Sequence, residues 1–113
     1  MSSITMKKGE SKTIAFLIKR NGVALDMSEM SPTFKWAVKK QREDSTYLIE
    51  KADNAFDKTD IALGYAKVNV LASDTAELTE GTYMSELKTS LAADDVDKSD
   101  VINFTLEKSV IHD

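Results

Sequence analysis

The acidic run near the C-terminus is the segment whose spacing comes nearest to a metal site. Asp95, Asp97 and Ser99 occupy the first three ligand positions of a calcium-binding loop. Asp100 stands where the loop needs its sharp-turn glycine, and Leu106 stands where it needs its bidentate glutamate. The run therefore predicts a solvated hairpin tip, with a calcium site as the alternative.

Nucleophilic and transition-metal chemistry lack the residues they need. The sequence has no cysteine, and its one histidine is His112, in the C-terminal tail. Thiolate catalysis, most hydrolytic triads and most transition-metal sites are therefore excluded. The four glycines are scattered as turn residues and form no phosphate-binding loop. The sequence predicts no enzyme, no cofactor and no metal.

The densest basic run is Lys39-Lys40-Gln41-Arg42, and its charge is offset at once by Glu43 and Asp44. It is typical of a solvated hairpin end. The whole chain carries a net charge of −4, whereas binding to phosphate backbones needs concentrated Lys and Arg. We therefore expect no nucleic-acid partner.

Export and membrane signals are missing from the sequence pattern. No apolar segment follows the N-terminal residues, and the longest apolar runs are about five residues, far short of a span. We expect synthesis in the cytoplasm, no signal peptide and no membrane association. The triplet Asn103-Phe104-Thr105 matches a glycosylation site but lies in a predicted strand, so it is interpreted as coincidental.

The elements that would position any site are short strands, because apolar and polar residues alternate with a period of two. Asn21-Gly22 predicts a tight hairpin, since both residue types tolerate positive φ. The predicted inward residues are Ile14, Phe16 and Ile18; Phe34, Trp36 and Val38; Ala66, Val68 and Val70; Tyr83, Ser85, Leu87, Thr89 and Leu91; and Ile102, Phe104 and Leu106.

The segments between these strands carry weaker patterns. Residues 46–50 predict a weak strand, residues 53–60 an irregular segment and residues 94–100 a charged loop. Residues 73–78 predict a single helical turn with Ser73 or Asp74 as its cap.

About seven strands at regular spacing predict an antiparallel β-sandwich that forms one domain over residues 1–113. Tyr83 follows a turn at the start of the penultimate strand, which is the position of a tyrosine corner. Ser85 stands where an immunoglobulin domain has its cysteine. The predicted core residues are Phe16, Phe34, Trp36, Val68, Tyr83, Leu87 and Phe104.

Four segments taken together resemble one known family. The segments are residues 8–13, 21–27, 33–39 and 73–87. In that order, they are similar to the family's "G-D-T" entry, its "N-G-x-P-x-D-L" hairpin, its "V-x-F-x-V" strand and its "D-T-x-x-L-x-x-G-x-Y-x-x-E-L" corner. The family is the immunoglobulin-like N-terminal domain of phage baseplate upper proteins and related tail and prophage proteins. Ala24 and Met27 depart from its usual proline and leucine.

The resemblance implies an all-β, immunoglobulin-like sandwich without catalytic residues. It implies a structural component of a phage or prophage tail or baseplate, located in the virion, that contacts other tail proteins and forms a homo-oligomer. The family's long C-terminal extension does not follow here, so we expect a small accessory or standalone component. The alternative is a module that binds carbohydrate or a cell surface through loop residues near Tyr47, Phe56 or Tyr65.

Overall fold

Most of the chain is β-strand. The computed structural model describes residues 3–41, 46–92, 95–98 and 101–108. Its strands are β1 (Ser3–Lys7), β2 (Lys12–Leu17), β3 (Lys19–Arg20), β4 (Val23–Ala24), β5 (Thr33–Lys39), β6 (Ile49–Lys51), β7 (Phe56–Asp57), β8 (Tyr65–Val70), β9 (Gly81–Ala92), β10 (Asp95–Lys98) and β11 (Ile102–Glu107). Helical segments are the 3-10 turns Asp53–Ala55 and Ile61–Leu63 and the helix α1 (Ala72–Thr75).

Two sheets pack face to face and form the predicted sandwich. The larger has the order β1-β11-β9-β5-β6, with β10 also paired to β9. The smaller has the order β2-β8-β7. A separate hairpin of β3 and β4 joins the end of β2 to the chain that leads into β5. The all-β sandwich prediction is confirmed.

The strand number was underestimated, because the described residues contain eleven strands where the alternation predicts about seven. The segment 94–100, predicted as a charged loop, contains β10, which pairs with the far half of β9. Its Asp and Lys residues disfavour a strand locally, but ladder hydrogen bonds along β9 decide the outcome. Further short strands lie in the hairpin, at Phe56–Asp57 and at the N-terminus.

The sheets are also not wholly antiparallel as predicted. β1 runs parallel to β11, with Ser3 opposite Asn103 and Lys7 opposite Glu107. All other strand pairs among the described residues are antiparallel. A parallel pair requires a long connection between its strands, and here almost the whole domain is that connection.

The core lies between the sheets, where alternate residues of each long strand are buried in one apolar cluster. Trp36, Val38 and Phe104 are completely inaccessible to solvent. Val68 and Leu87 are also buried, on β8 and β9 respectively. Ile18 lies just beyond the end of β2 and packs partly buried against the same cluster.

Six aromatic rings form a continuous chain of contacts through this core. Centroid distances of 5.4 to 6.5 Å, within the range of favourable aromatic pairs, connect in succession Phe34, Phe56, Phe16, Trp36, Phe104 and Tyr83. Phe16 and Phe56 belong to the smaller sheet and the other four to the larger. The chain of rings therefore joins the two sheets.

Tyr83 forms the predicted tyrosine corner. Its hydroxyl donates to the carbonyl oxygen of Thr79 at 2.5 Å, across the turn that precedes β9. The ring is buried against Phe104, and the Lys40 ammonium lies 4.7 Å from its centroid. This hydrogen bond fixes how the chain enters the longest strand of the fold. The tyrosine corner prediction is confirmed.

The helical turn begins earlier than predicted and is capped differently. Leu71, not Ser73 or Asp74, occupies the cap position of α1. Asp74 lies within the turn, and its carboxylate accepts from the Leu71 N–H and the Lys51 Nζ, both at 2.7 Å. The Ala72 N–H donates to Ser11 Oγ at 3.2 Å. The Ala72 amide is therefore satisfied from outside the turn, while the Asp74 amide donates to the Leu71 carbonyl oxygen at 2.9 Å.

Burial alone would raise the pKa of the Asp74 carboxyl, but hydrogen bonds from Lys51 and Leu71 and the Lys51 charge outweigh it, so the pKa is lowered. The pair is 15% and 23% exposed for Lys51 and Asp74, respectively. The ion pair connects α1 to β6. Because α1 lies in the segment that crosses from β8 of the smaller sheet to β9 of the larger, the pair attaches this crossover to the edge strand of the larger sheet.

Asn21 and Gly22 form the predicted hairpin turn. Their φ angles are +53° and +78°, the left-handed region that a two-residue turn of this kind requires at both positions. The hairpin is held to the sandwich by backbone hydrogen bonds from Leu25 to Ile18 and from Ile18 to Gly64, at 2.9 and 2.7 Å. The turn prediction is confirmed, and the strand that follows the turn is β4.

Replacing Tyr83 by Phe is expected to lower the free energy of unfolding by about 1 kcal/mol, because the Thr79 carbonyl loses its donor while the ring contacts remain. Urea unfolding followed by Trp36 fluorescence measures the change. Tyr65→Phe is the control, since the half-exposed Tyr65 makes no hydroxyl hydrogen bond within the described residues. Equal effects of the two substitutions would contradict the corner's role.

Replacing Asp74 by Asn is expected to cost about 2 kcal/mol of unfolding free energy at pH 7, because a charged hydrogen-bond acceptor is lost. Since the folded pKa is lowered, the contribution of Asp74 is complete above its unfolded pKa of about 3.9 and is lost as the pH falls through the folded pKa. The difference between variant and wild type should therefore shrink at pH 3.

Denaturant titrations at both pH values test this. Glu50→Gln provides the matched control, because the Lys35–Glu50 pair is 41% and 47% exposed and should contribute under about 1 kcal/mol. A deficit of Asp74→Asn that is the same at pH 7 and pH 3 would show that its charge is not the source of the stability.

Candidate interaction surface

The outer face of the larger sheet carries an open groove of about 400 Å³. Its floor is formed by the residues of β5 and β9 that alternate with the buried ones. Its charged lining consists of four lysines and one glutamate: Lys35, Lys39, Lys88, Lys98 and Glu86. In a chain whose net charge is −4, this face concentrates positive charge.

Three of these lysines form a row across three neighbouring strands. Lys35 of β5 is directly opposite Lys88 of β9, and Lys88 is directly opposite Lys98 of β10. Residues in register have Cβ atoms about 5 Å apart, and like charges at that distance destabilise a sheet. We call Lys35, Lys88 and Lys98 the lysine row.

Only one end of the lysine row is neutralised within the described residues. Lys35 Nζ pairs with the Glu50 carboxylate at 2.8 Å, and this hydrogen bond and the Glu50 charge raise the pKa of Lys35. Lys88 and Lys98 have no ion pair in the described part of the chain. Among the described residues, no carboxylate pairs with the lysines at the centre and far end of the row.

Tyr47 lies along one wall of the groove. The ammonium groups of Lys35 and Lys39 are each 5.1 Å from its ring centroid, within reach of a cation–π interaction. Ala37, Met84 and Val101 complete the apolar part of the lining, and Met84 is 40% exposed on the sheet surface. Lys39 is directly opposite Met84, so the groove offers the lysine row at one end and apolar surface flanked by a fourth lysine at the other.

The acidic residues singled out as calcium ligands have a different partner. Arg20 Nη2 in the β3–β4 hairpin contacts Asp95 Oδ1 at 2.5 Å and Asp97 Oδ2 at 3.5 Å. The hydrogen bond and charge of Asp95 raise the pKa of Arg20. Ser99 lies outside the described residues, and among those described no group of three or more acidic, His or Cys residues could hold a metal. Both aspartates therefore anchor the hairpin to β10.

The aromatics proposed for carbohydrate binding do not come together. Phe56 is buried in the core, so its interpretation as a loop residue available to a ligand is wrong. Its segment forms a short strand, β7, which pairs with β8. This pairing turns the Phe56 ring inward, where it is buried. Tyr65 lies on β8 of the smaller sheet, whereas Tyr47 lies over the outer face of the larger one.

The remaining sequence motifs are dispersed. In the basic run, Lys39 contacts Tyr47 and Lys40 contacts Tyr83, while Arg42 lies outside the described residues. Asn103 belongs to β11, followed by the buried Phe104. His112 also lies outside the described residues. Within those residues, no helix has the length and apolar character needed to cross a bilayer.

Sequence reasoning missed Lys88 and Lys98 as functional candidates. Both are isolated in the sequence, so neither forms a basic run. They meet only because β10 folds back on β9, and because a register shift between Asp95 and Val96 sets which residues are opposite each other. The alternation in β9 does predict Lys88 on the solvent face.

No family and no curated protein matches the sequence, but solved structures with a similar fold include a phage domain and a receptor. The N-terminal domain of phage TP901-1 ORF48 matches with a TM-score of 0.58 and 16% identity, over 95% of this chain and 86% of that one. A chicken TCR matches with a TM-score of 0.55 and 7% identity, over 96% of this chain and 48% of that one.

Identities this low show the fold and no more. One of these structures is a phage domain and the other an immunoglobulin-like receptor, and neither is named as an enzyme. The order β1-β11-β9-β5-β6 packed on β2-β8-β7, with Trp36 central and Tyr83 at the corner, agrees with the second likeness. The fold of this chain is an immunoglobulin-like β-sandwich.

Proposed function

We propose that the chain is a non-catalytic assembly module of a phage or prophage tail or baseplate, which acts through protein–protein contacts in the virion. The observation that carries the proposal is the likeness to a phage domain over 95% of this chain and 86% of that one. The likeness thus extends over nearly the whole of both domains.

The sequence motifs support the same proposal independently of the coordinates. The four segments that resemble the baseplate family occur in the family's order, and the structure gives three of them distinct roles. Asn21-Gly22 forms the hairpin turn, Trp36 lies at the centre of the core, and Tyr83 forms the corner. A shared turn alone would be weak support, because unrelated sandwiches also use such turns.

The described residues form one apolar cluster, which supports the proposal that residues 1–113 make one domain. We propose that Phe16, Phe34, Trp36, Val68, Tyr83, Leu87 and Phe104 act in that core and not in a binding site. Their burial supports this role. Such a module would dock on other tail proteins, or on copies of itself in a closed ring, through exposed sheet faces or strand edges.

The alternative is a module that binds carbohydrate or a cell surface. Of the three aromatics considered for it, Tyr47 alone is both exposed and next to the groove. Two lysines already cover its ring at 5.1 Å, which leaves less of its face for a sugar to stack on. The geometry therefore favours a protein partner.

The proposal predicts that the chain is a fixed component of phage particles. Particles induced from the strain that carries the gene, purified by density gradient and treated with protease-free nuclease, should contain the chain in constant ratio to the tail proteins. Quantitative mass spectrometry measures that ratio, and gold-labelled antibodies should mark the tail. A host cytoplasmic protein of similar size serves as the contamination control.

Two results would contradict the proposal. One is a chain that is depleted from particles to the same extent as the cytoplasmic control. The other is binding to a glycan array that Tyr47→Ala abolishes, with no copy of the chain in the particles; this result would favour the carbohydrate-binding alternative.

A further inference from the structure

The lysine row places like charges in register, which destabilises the sheet that carries it. Lys88 is flanked in register by Lys35 on one side and Lys98 on the other. Opposite-charge pairs at such positions stabilise a sheet, and like charges destabilise it. Glu86 is two residues away on the same face and makes no ion pair with the row in the described part of the chain.

We propose that the groove binds an extended, acidic segment of a partner protein, with carboxylates on the lysine row and an apolar side chain on Met84 and Val101. This deepens the proposed function and rests on it, because it names the docking surface and the chemistry of the partner. Charge complementarity selects the occupant: a net-negative chain presents four lysines against one glutamate in a single groove.

The dimensions of the groove suit a short extended segment. Strands lie about 4.8 Å apart, so the lysine row spans about 10 Å and can meet two neighbouring carboxylates. Met84 is four residues from Lys88 along β9, or about 14 Å at the rise of a strand. Side chains two positions apart in an extended peptide point to the same side. Two acidic residues at alternate positions, with an apolar residue four positions after the second of them, therefore match the two ends.

A nucleic acid fits the groove less well than an acidic peptide does. The lining has no arginine, and its positive charge is confined to one face of a chain with net charge −4. Phosphate-backbone binding needs a longer track of cations than one row of three. Met84, Val101 and Ala37 add apolar surface that a peptide side chain can cover.

Binding is tested with a labelled peptide in which Asp-Thr-Asp-Thr-Ser-Thr-Leu is flanked by glycines, and with its Asn-Thr-Asn-Thr-Ser-Thr-Leu counterpart. In amide chemical-shift titrations of the purified full chain, the acidic peptide should perturb Lys88, Lys98 and Met84 and the amide counterpart should not. The double variant Lys88→Gln, Lys98→Gln should weaken binding by about fivefold or more. Raising the salt concentration should weaken it further.

The matched control is Lys19→Gln, Lys108→Gln, which removes the same charge from exposed positions outside the groove. It should change the affinity by less than about twofold. Equal weakening by both double variants, shifts confined to another face, or tighter binding of an oligothymidylate than of the acidic peptide would overturn the proposal. None of these results bears on whether the chain is present in particles, so the two proposals fail separately.

A second measurement separates a binding role from a structural one. Lys88→Glu places a negative charge between Lys35 and Lys98, so it should raise the melting temperature at low salt while it abolishes peptide binding. Lys19 is opposite the uncharged Ala24 in the hairpin, so Lys19→Glu should leave the melting temperature and the peptide binding unchanged. A lower melting temperature for Lys88→Glu would show that the row serves the fold and would overturn the inference.

Discussion

Contact between the aromatic rings of the two sheets is the constraint on which the rest of the structure depends. Phe16 and Phe56 meet Trp36 and Phe34 across the interior, so each strand that carries a ring has one obligatory inner face. Because side chains alternate along a strand, the inner face also determines the outer one. Burial of Phe34, Trp36 and Val38 thus places Lys35, Ala37 and Lys39 on the groove. The buried Trp36 Nε1–H has no acceptor among the described residues, and leaving this donor unpaired lowers the stability of the fold.

The sequence predicts those parts of the fold that are encoded locally. Alternation identifies the long strands, Asn21-Gly22 identifies a turn by its φ requirement, and the position of Tyr83 after Gly81 identifies the corner. The parts that depend on pairing between distant segments are not predictable in this way. The β1–β11 pair joins residues about a hundred positions apart, and β10 is a strand only because β9 is long enough to pair with it. The lysine row belongs to this second class, since register aligns its members.

The functional argument depends on the surface more than on the fold. Immunoglobulin-like sandwiches support many functions, and likeness at 16% and 7% identity to a phage domain and a receptor shows the fold of this chain. What distinguishes this chain is where it concentrates charge. Asp53, Asp60 and Asp74 pair with lysines around the sandwich, whereas Lys88 and Lys98 do not pair with any carboxylate in the described residues. A surface with unsatisfied charge beside exposed apolar side chains is suited to recognition.

The parallel alignment of the first and last strands has a mechanical consequence. Ser3 lies at one end of the β1–β11 ladder and Glu107 at the other, so tension applied through these two residues acts along the strands. Such a force acts in shear, so all the hydrogen bonds of the ladder bear it at the same time. In an antiparallel terminal pair, the same force would break the hydrogen bonds one after another. Resistance to extension in this chain is therefore concentrated in a ladder of five residue pairs, Ser3–Lys7 against Asn103–Glu107.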